Sequence, residues 1–290
     1  MRIGVNTLFY RPTEVGGSET YLLELLHWMM QATQGHEWVF FTNLENHDVL
    51  LKRFGGERRV SFVPLRFRAG NRLSRMFWEQ IVLPIKVPAQ RLDLLWSPGY
   101  VLPVLVRRPQ VLTVFDMQTR SFPDDFHAVA TWAMNVLVSL GCRLSSRILT
   151  TSQFSKMEII RFTRIPERRI TVTPLATTEV FAEGTLDAVR ARLARDLPVL
   201  KYPYLLCVSF SHPHKNLAWL AEVFVKLSRE IPHQLVLVGR PGRGERALQE
   251  ALERQTPGRV LRLPYVSQET LVALYRAADL FIMPSLYEGF

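Results

Sequence analysis

The feature that most constrains the fold is an alternation of short, largely apolar runs with helical segments. This alternation occurs in two successive parts of the chain. Short apolar runs bounded by polar or glycine residues are typical of buried strands. In the first pass these runs are Arg2–Asn6, Trp38–Phe41, Val60–Val63, Leu92–Trp96, Val111–Phe115, Ile148–Thr151 and Ile170–Thr173. In the second pass they are Tyr204–Val208, Leu235–Val238, Val260–Leu263 and Leu280–Met283. Strands that alternate with helices predict an α/β fold with parallel, doubly wound sheets.

The alternation is interrupted between residues 177 and 198, where a charged helix is predicted over Asp187–Arg195. A chain of 290 residues also fits two domains of ordinary size better than one. We therefore predict two tandem Rossmann-like domains, over residues 1–180 and 201–290, joined by a linker and connecting helix over residues 181–200. The second alternation stops after its fourth strand, so the second domain is predicted to be incomplete.

The composition is that of a soluble globular protein, with 48% hydrophobic and 21% charged residues. No apolar run is long enough to span a bilayer, and the first six residues are typical of a strand rather than of a signal peptide. Cys142 and Cys207 lie far apart in apolar surroundings, which favours buried free thiols in a reducing compartment. Together these features predict a cytoplasmic protein.

The positive charge is concentrated in one segment. The chain has a formal net charge of +10, and between Lys52 and Arg75 eight basic residues and one acid, Glu57, give +7. The bulky apolar residues among or just after these bases are Phe67, Leu73, Met76, Phe77 and Trp78. This mixture suits peripheral binding to an anionic membrane surface, with a merely solvated basic face as the alternative. Nucleic acid is disfavoured as a partner because no nucleic-acid-binding motif accompanies the charge.

Two glycines, Gly16 and Gly17, follow the first predicted strand and lead into a helix that begins near Ser18. Free backbone N–H groups and the helix dipole at such a position favour an anion such as phosphate. The segment is not Gly-x-Gly-x-x-Gly, and no Lys-Ser or Lys-Thr pair follows it, so it is neither a dinucleotide fingerprint nor a P-loop. A simple turn remains the alternative.

A polar loop over residues 209–216 leads from one predicted strand into the next helix. Lys215 combines a full positive charge with the positive end of the helix dipole, which would stabilise a phosphate or a departing diphosphate. An ordinary exposed lysine is the alternative. Asn216 is predicted to cap the helix. His212 and His214 have no third ligand nearby in the sequence, so no metal site is predicted.

The last apolar run is predicted to be a buried strand that delivers Glu288 and Gly289 to the carboxyl edge of the second sheet. Ligands bind at this edge in α/β proteins, and glycine lets the backbone approach them. Alone, the glutamate could cap a helix, accept hydrogen bonds from hydroxyl groups, or act as a general acid or base. No nucleophilic triad has a local signature, and the adjacent Asp124 and Asp125 are more typical of a helix start after Pro123.

Taken in order, these segments make the chain resemble the family-4 retaining glycosyltransferases, which have the GT-B fold of two Rossmann-like domains facing a cleft. The matching segments are Gly16–Tyr21, Thr113–Met117 with Phe122–Phe126, Thr151–Lys156, Val172–Ala176, Pro213–Asn216 and Ala277–Phe290. The resemblance covers essentially the whole chain, and the closing segment is the most specific match. It implies transfer of a hexose, such as mannose, from a nucleoside diphosphate sugar to a glycan or lipid-linked acceptor, with retention and without metal or other cofactor.

The resemblance also implies roles for individual residues. The implied donor-binding residues are Gly16, Gly17, His214, Lys215, Asn216, Tyr265, Val266, Glu288, Gly289 and Phe290. The implied catalytic residues are Lys215, Glu288 and Asp116. In this scheme Lys215 neutralises the diphosphate, Glu288 accepts hydrogen bonds from hydroxyls of the transferred sugar, and Tyr265–Val266 border the nucleobase.

Three features depart from the family pattern. Phe115 stands where many members have His, so a contact to the sugar or the acceptor is lost or moved. His214 stands where Arg is common, which weakens one diphosphate contact unless this histidine is protonated or another base, such as Arg240 or Arg243, supplies the contact. The family's acidic motif has a second glutamate eight residues after the first, a position that here lies beyond Phe290. Because that glutamate grips the nucleotide ribose, this chain alone is predicted to have impaired activity.

Two other functions remain open from the sequence. A nucleotide-sugar epimerase can share the tandem architecture but would convert its donor without an acceptor. A catalytically degenerate nucleotide-sugar-binding subunit is favoured by Phe115, His214 and the missing second glutamate. A dehydrogenase is disfavoured because the glycine fingerprint is absent.

Overall fold

The computed structural model describes residues 1–14, 16–122, 128–177, 181, 184–254 and 257–290, and for residues 128–130 it describes the backbone only. The chain divides into two compact units, Met1–Leu175 with Gly289–Phe290, and Ala176–Glu288. Each unit contains a parallel sheet with helices, which confirms the prediction of two parallel α/β sheets in tandem. The division at Leu175 lies close to residue 180, where the first domain is predicted to end.

The first unit is built on a seven-stranded parallel sheet. Its strands are β1 (Arg2–Asn6), β2 (Glu37–Thr42), β3 (Val60–Pro64), β4 (Leu94–Ser97), β5 (Gln110–Thr113), β6 (Arg147–Thr150) and β7 (Ile170–Val172). They lie in the order β3-β2-β1-β4-β5-β6-β7. The order reverses between β1 and β4, so these two strands form the topological switch point at which α/β sheets bind ligands.

The helices of the first unit are α1 (Gly17–Ala32), α2 (His47–Phe54), α3 (Arg72–Phe77), α4 (Leu83–Lys86), α5 (Gln118–Ser121), α6 (Ala128–Leu144) and α7 (Gln153–Thr163). A π-helical turn, Trp78–Val82, joins α3 to α4, so residues 72–86 form one continuous helix. The side chain of Asn71 caps this helix by accepting from the N–H of Ser74 at 3.1 Å. Along α1, Leu22, Leu26 and Met30 pack on β1 and β2, where burial of apolar area stabilises the unit.

The second unit contains a four-stranded parallel sheet. Its strands are β8 (Tyr204–Val208), β9 (Gln234–Val238), β10 (Val260–Leu263) and β11 (Leu280–Phe281), in the order β10-β9-β8-β11. Its helices are α8 (Leu186–Asp196), α9 (Leu217–Leu227), α10 (Glu245–Leu252) and α11 (Gln268–Ala277). One face of the sheet packs against α9 and α10, and the other against α8 and α11. The order reverses between β8 and β11, which places a second switch point there.

Two strands differ from the prediction in ways that bear on function. β5 ends at Thr113, so Phe115 lies in the loop after the strand rather than within it. β11 contains Leu280 and Phe281 only, and its predicted burial is wrong, since these side chains are 57% and 39% exposed. The reason is that β11 pairs with β8 alone at the edge of the sheet, where side chains have fewer neighbours. The predicted helix-end residues Pro123, Asp124, Asp125, Phe126 and Gln255 lie outside the described residues.

Both cysteines are buried and free, as predicted. Cys142 is 0% exposed and Cys207 is 1% exposed. Burial raises the pKa of each thiol to about 12, so neither forms a thiolate near neutral pH. Within the described residues no helix combines the length and the apolar character that a membrane span needs.

Candidate functional site

The switch point of the second sheet brings two loops to one edge. β8 and β11 are neighbours, with Leu205 aligned to Leu280 and Leu206 aligned to Phe281. The loop of residues 209–216 follows β8, and the segment that ends at Glu288 follows β11. Because parallel strands end at the same edge of a sheet, the polar residues of both loops lie side by side there.

Lys215 and Glu288 meet across these two loops. Nζ of Lys215 donates hydrogen bonds of 2.8 Å to both Oε1 and Oε2 of Glu288. The side chains are 21% and 31% exposed, so the pair is partly desolvated but still reachable from solvent. A cation held against a carboxylate can offer adjacent charged partners to an anion and to a hydroxyl group.

The backbone around Lys215 explains why these side chains meet. Pro213–Lys215 form a 3-10 turn, and Asn216 follows with φ 59° and ψ 30°, a left-handed conformation that asparagine tolerates. The prediction that Asn216 caps α9 is wrong: its side chain makes no cap hydrogen bond, because a capping residue needs extended dihedrals. Its Nδ2 instead donates to the carbonyl of Pro284 at 3.3 Å. The N–H of Leu286 donates to the carbonyl of His214 at 2.8 Å, so these two bonds join the loops in addition to the Lys215–Glu288 pair.

Two other side chains of these loops are buried. The His214 side chain is 4% exposed and stacks on His212, with ring centres 5.8 Å apart and planes 12° from parallel. The hydroxyl of Ser285 is buried and has no hydrogen-bond partner among the described residues. A buried hydroxyl without a partner marks a place where a bound molecule can supply the missing hydrogen bond.

The loop after β9 packs against the loop after β8 because two of its glycines lack a side chain. Gly239 has φ 143°, and a Cβ there would lie 2.1 Å from the carbonyl oxygen of Ser209. A Cβ on Gly244 would lie 2.8 Å from the carbonyl oxygen of Ser211. The N–H of Gly244 donates to that carbonyl at 2.7 Å, and the N–H of Gly242 donates to Ser211 Oγ at 2.7 Å. These bonds fix the start of the loop that carries Lys215.

A partly buried carboxylate ties this loop to the sheet. Ser211 Oγ donates to Glu245 at the start of α10, and Nη2 of Arg262 on β10 donates to the same carboxylate at 3.3 Å. Burial raises the pKa of Glu245, but hydrogen bonds from Ser211 and Gln249 and the charge of Arg262 outweigh it, so the pKa lies below its usual value. Glu245 therefore stays ionised and anchors the loop.

The segment predicted to border a nucleobase, Tyr265–Val266, follows β10. The Tyr265 side chain is 68% exposed, and the guanidinium carbon of Arg240 lies 5.8 Å from its ring centre. Val266 packs into the core between the sheet, α8 and α11. The segment thus presents one aromatic ring at the carboxyl edge and anchors it with the next residue.

In the first unit, Gly16 and Gly17 lie where the loop after β1 enters α1. Gly16 has φ 62°, and no side chain of the described residues caps the helix there. A Cβ on Gly17 would meet nothing within 4 Å, so the helix N-terminus is open at this point. The Glu19 carboxylate accepts from the N–H of Thr13 at 2.8 Å and from the hydroxyl of Tyr10 at 3.1 Å, which holds the loop against the helix.

Asp116 lies in the loop after β5. Its Oδ1 accepts a hydrogen bond of 3.1 Å from the N–H of Gln118 at the start of α5. The neighbouring Phe115 packs edge-on between two aromatic rings, with its ring centre 5.0 Å from that of Tyr21 and 5.3 Å from that of Tyr100. The phenyl ring at this position is therefore held by aromatic packing, which a histidine would only partly reproduce.

Gly289 and Phe290 group with the first unit. Ser152 Oγ and Ser155 Oγ donate to the carbonyl of Gly289 at 2.5 Å and 2.6 Å. A Cβ on Gly289 would lie 2.7 Å from the Cβ of Asp116, so close approach requires glycine there. The Phe290 side chain is 65% exposed.

A buried polar cluster at the switch point of the first sheet is absent from the sequence-based predictions. Nδ2 of Asn6, at the end of β1, donates to Oε1 of Glu79 at 2.7 Å and lies 3.4 Å from Oγ of Ser97, at the end of β4. None of the three residues is more than 5% exposed. Burial raises the pKa of Glu79 to about 7, although the charge of Arg75 and the Asn6 hydrogen bond lower it. The available signal was a single acid inside the apolar stretch Met76–Leu83.

The predicted site residues fall into two groups. Those that the structure brings together at the switch point of the second unit are His214, Lys215, Asn216 and Glu288. Those that belong to the first unit are Gly16, Gly17, Asp116, Gly289 and Phe290. Tyr265 and Val266 lie on the loop after β10 of the second unit. No group of three or more His, Cys, Asp or Glu side chains in the described residues is arranged to hold a metal ion.

Two family models match this chain. The model described as Glycosyltransferase Family 4 matches residues 15–177, and the model described as Glycosyl transferases group 1 matches residues 202–290. The first match covers more than half of the chain and the loops of the first unit. The second covers the loops that carry Lys215 and Glu288.

Known proteins resemble the chain in sequence and in fold. The O-antigen chain mannosyltransferase B of Escherichia coli is 38% identical over 152 residues, which cover 49% of this chain and 38% of that protein. Anabaena HepE in complex with UDP and glucose has a TM-score of 0.68 at 18% identity, covering 98% of this chain and 74% of that one. The UDP-GlcNAc 2-epimerase of Methanocaldococcus jannaschii has a TM-score of 0.57 at 14% identity, covering 97% and 78%. The two structures share the fold, and the chain spans well under two thirds of the curated relatives that it matches.

Proposed function

Because this chain belongs to glycosyltransferase family 4, we propose that the protein is a cytoplasmic, retaining glycosyltransferase that transfers a hexose from a nucleoside diphosphate sugar. The acceptor in this proposal is a glycan or a lipid-linked saccharide. Mannose is the proposed hexose, since curated relatives that the chain matches are named mannosyltransferases. No metal or other cofactor is needed, because a fixed lysine and a helix N-terminus can neutralise a departing diphosphate.

The observation that carries this proposal is the Lys215–Glu288 pair at the switch point between β8 and β11. Lys215 lies two residues before the start of α9, so its charge and the helix dipole can act on the same anion. Glu288 can accept hydrogen bonds from the sugar hydroxyls while Lys215 holds the diphosphate, which aligns the bond to be broken. The exposed ring of Tyr265 is available to stack on the nucleobase.

Isothermal titration tests donor binding directly. The protein expressed from its complete coding sequence should bind UDP or GDP, or their mannose or glucose derivatives, with a Kd between about 1 μM and 1 mM, the usual range for enzyme substrates. Lys215→Ala should weaken binding of the diphosphate, whereas Lys226→Ala, an exposed lysine near the end of α9, should not. Absence of binding by both nucleoside diphosphates and by all of their mannose and glucose derivatives would refute the proposed function.

Two alternatives make different predictions for the same protein. An epimerase, whose fold the chain shares, would convert the nucleotide sugar in a mixture that contains no acceptor. A degenerate binding subunit would bind the donor yet show neither transfer nor slow hydrolysis. Product analysis with and without acceptor therefore separates the three functions.

We place the membrane-facing surface of this protein on the helix of residues 72–86. Four of its large apolar side chains, spaced one turn apart, are exposed: Leu73 by 78%, Phe77 by 55%, Ile81 by 43% and Ile85 by 69%. Exposed bases accompany them at Arg66, Arg68, Arg72 and Lys86. A stripe of apolar side chains flanked by basic residues is typical of helices that bind the interface of an anionic bilayer.

Other residues of the basic segment have different contacts. Arg53 forms an ion pair with Glu24 at 2.8 Å, and Arg59 donates to the carbonyl of Thr33 at 2.7 Å. Phe67 is buried and stacks on Trp78, with ring centres 5.1 Å apart. These residues stabilise the fold, so we exclude them from the proposed membrane surface.

Reversal of Arg66, Arg68 and Arg72 to Glu should lower binding to anionic vesicles by at least about 10²-fold, since each base near the surface contributes about 1 kcal/mol. Co-sedimentation with vesicles of phosphatidylglycerol and phosphatidylcholine measures this. The control is Arg107→Glu with Arg108→Glu, two exposed bases outside the helix. Leu73→Gln with Ile85→Gln should weaken binding even at high salt. Unchanged pelleting of both helix variants would exclude this surface.

A further inference from the structure

A cavity of about 230 Å³ lies in the first unit, at the carboxyl end of β1 and β4. It is lined by Phe9, Ser18, Arg75, Glu79, Gly99, Tyr100, Val101 and Met134. Its volume equals that of about eight waters, below the roughly 300–1,000 Å³ of sites for drug-sized ligands. The cavity therefore suits one small ring, and it lies at the switch point between these strands.

The polar wall of the cavity is a carboxylate that the fold holds in place. Glu79 lies in the π-helical turn between α3 and α4, a type of turn that is frequent at functional sites. Nδ2 of Asn6 donates a hydrogen bond of 2.7 Å to Oε1 of Glu79, and no other hydrogen bond from the described residues reaches this carboxylate. Asn6 is itself fixed, since its Oδ1 accepts from the N–H of Leu8 at 3.2 Å.

A cation shares the cavity with this carboxylate. Arg75 lines the same space, and no ion pair of 4.0 Å or less joins it to Glu79 in the described part of the chain. The charge of Arg75 lowers the pKa of Glu79, so the two groups interact through space although the described residues show no direct ion pair between them. Together they offer an acceptor and donors of hydrogen bonds on one wall.

Apart from Ser18 and Gly99, the rest of the lining is apolar and aromatic. It consists of Phe9, Tyr100, Val101 and Met134, and the Tyr100 ring is braced by Phe115 at 5.3 Å. Such walls suit the C–H faces of a pyranose, whose hydroxyl rim needs polar partners. A phosphate or carboxylate fits less well, because the Glu79 carboxylate would repel an anion.

We propose that this cavity binds one neutral pyranose ring of the acceptor, with the Glu79 carboxylate accepting hydrogen bonds from its hydroxyl groups. The proposal rests on the proposed glycosyltransferase function and assigns its acceptor specificity to residues of the first unit. Arg75 donates to the same ring, and Asn6 acts as a positioning residue that holds Glu79. Sites built to bond a hydroxyl reject analogues that lack it, so this carboxylate would select among acceptor sugars.

Binding of methyl α-D-mannopyranoside, followed by saturation-transfer NMR, is the direct test, and its use as an acceptor supplies KM. Glu79→Gln should weaken binding and raise the acceptor KM by about tenfold to a hundredfold, the range for a hydrogen bond to a charged group. The donor Kd from isothermal titration should stay within about twofold. Met134→Trp should act in the same direction by filling the cavity while Glu79 remains.

The matched control is Glu158→Gln, a buried carboxylate of the same unit that accepts from Ser121 at 2.8 Å outside the cavity. Unchanged mannoside binding and KM in both cavity variants would overturn the proposal, as would equal losses in the control. Competition by inorganic phosphate that depends on Arg75 would point to an anionic acceptor instead and overturn the choice of a neutral ring. If the wild type binds no donor, the proposed function fails, but the mannoside titration still shows whether the cavity binds a pyranose ring.

Discussion

Replacing Lys215 with alanine should lower kcat/KM for sugar transfer by about 10²- to 10³-fold, or about 3–4 kcal/mol of transition-state stabilisation. This is the usual loss when one preorganised donor to a developing oxyanion is removed. Lys215 is preorganised because the 3-10 turn Pro213–Lys215 and two bonds to the loop after β11 fix its backbone. The measurement is steady-state kinetics with GDP-mannose and UDP-glucose as donors.

The ion pair with Glu288 makes the interpretation of this variant more demanding. Removing Lys215 also takes away the cation that holds both oxygens of Glu288 at 2.8 Å. A double-mutant cycle with Glu288→Gln separates the two effects, because a shared role gives a large interaction energy and independent roles add. We expect Lys215→Arg to recover part of the rate. Arginine keeps the positive charge, but its planar guanidinium does not reproduce the compact ammonium group of lysine.

Lys226→Ala, near the other end of α9, is the matched control and should leave the rate unchanged. If Lys215→Ala keeps kcat/KM within about threefold of wild type, charge neutralisation at this position contributes less than 1 kcal/mol. Lys215 would then serve the fold of the loop rather than the chemistry.

The sequence was sufficient to predict the strands because each is a short apolar run closed by a polar or glycine residue. β1, β8 and β10 have the predicted bounds, and the switch points follow from alternation together with the order of strands. β11 was predicted less well because it lies at the edge of its sheet. Its apolar residues resemble those of a buried strand, but no neighbouring strand of the described residues covers them on one side. The local sequence pattern does not indicate whether a strand has one neighbouring strand or two.

The candidate site was only partly predictable for a related reason. Lys215 and Glu288 were each identified at a strand end, but their ion pair depends on β8 and β11 being adjacent, which alternation alone does not determine. The cap predicted at Asn216 is wrong because this residue has a left-handed backbone and its side chain bonds to Pro284, in a loop distant in sequence, which a local pattern does not indicate. Glu79 was missed because it occupies a helix position whose burial is set by Asn6 and Ser97.

Glu79 should also make the stability of the first unit depend on pH. Its pKa in the fold is about 7, against 4.5 for an ordinary glutamate, chiefly because burial disfavours the charged form. Between these values the native state binds more protons than the unfolded state, so stability is full below about pH 4.5 and falls as pH rises through 7. A difference of this size corresponds to about 3 kcal/mol. The charge of Arg75 acts on Glu79, and the charges of Arg72 and Arg11 act on Arg75 in turn.

Glu79→Gln should remove this pH-dependent loss, because glutamine can still accept the hydrogen bond from Asn6 but cannot ionise. Between pH 4.5 and 8 the free energy of unfolding of the wild type should fall by about 3 kcal/mol more than that of the variant. Urea denaturation in a Trp219→Phe background measures this for the first unit, since the other five tryptophans all lie there. Arg75→Met should enlarge the fall and extend it to higher pH, because it removes a charge that lowers the pKa of Glu79. Parallel pH profiles for wild type and Glu79→Gln would show that this carboxylate is solvated rather than buried.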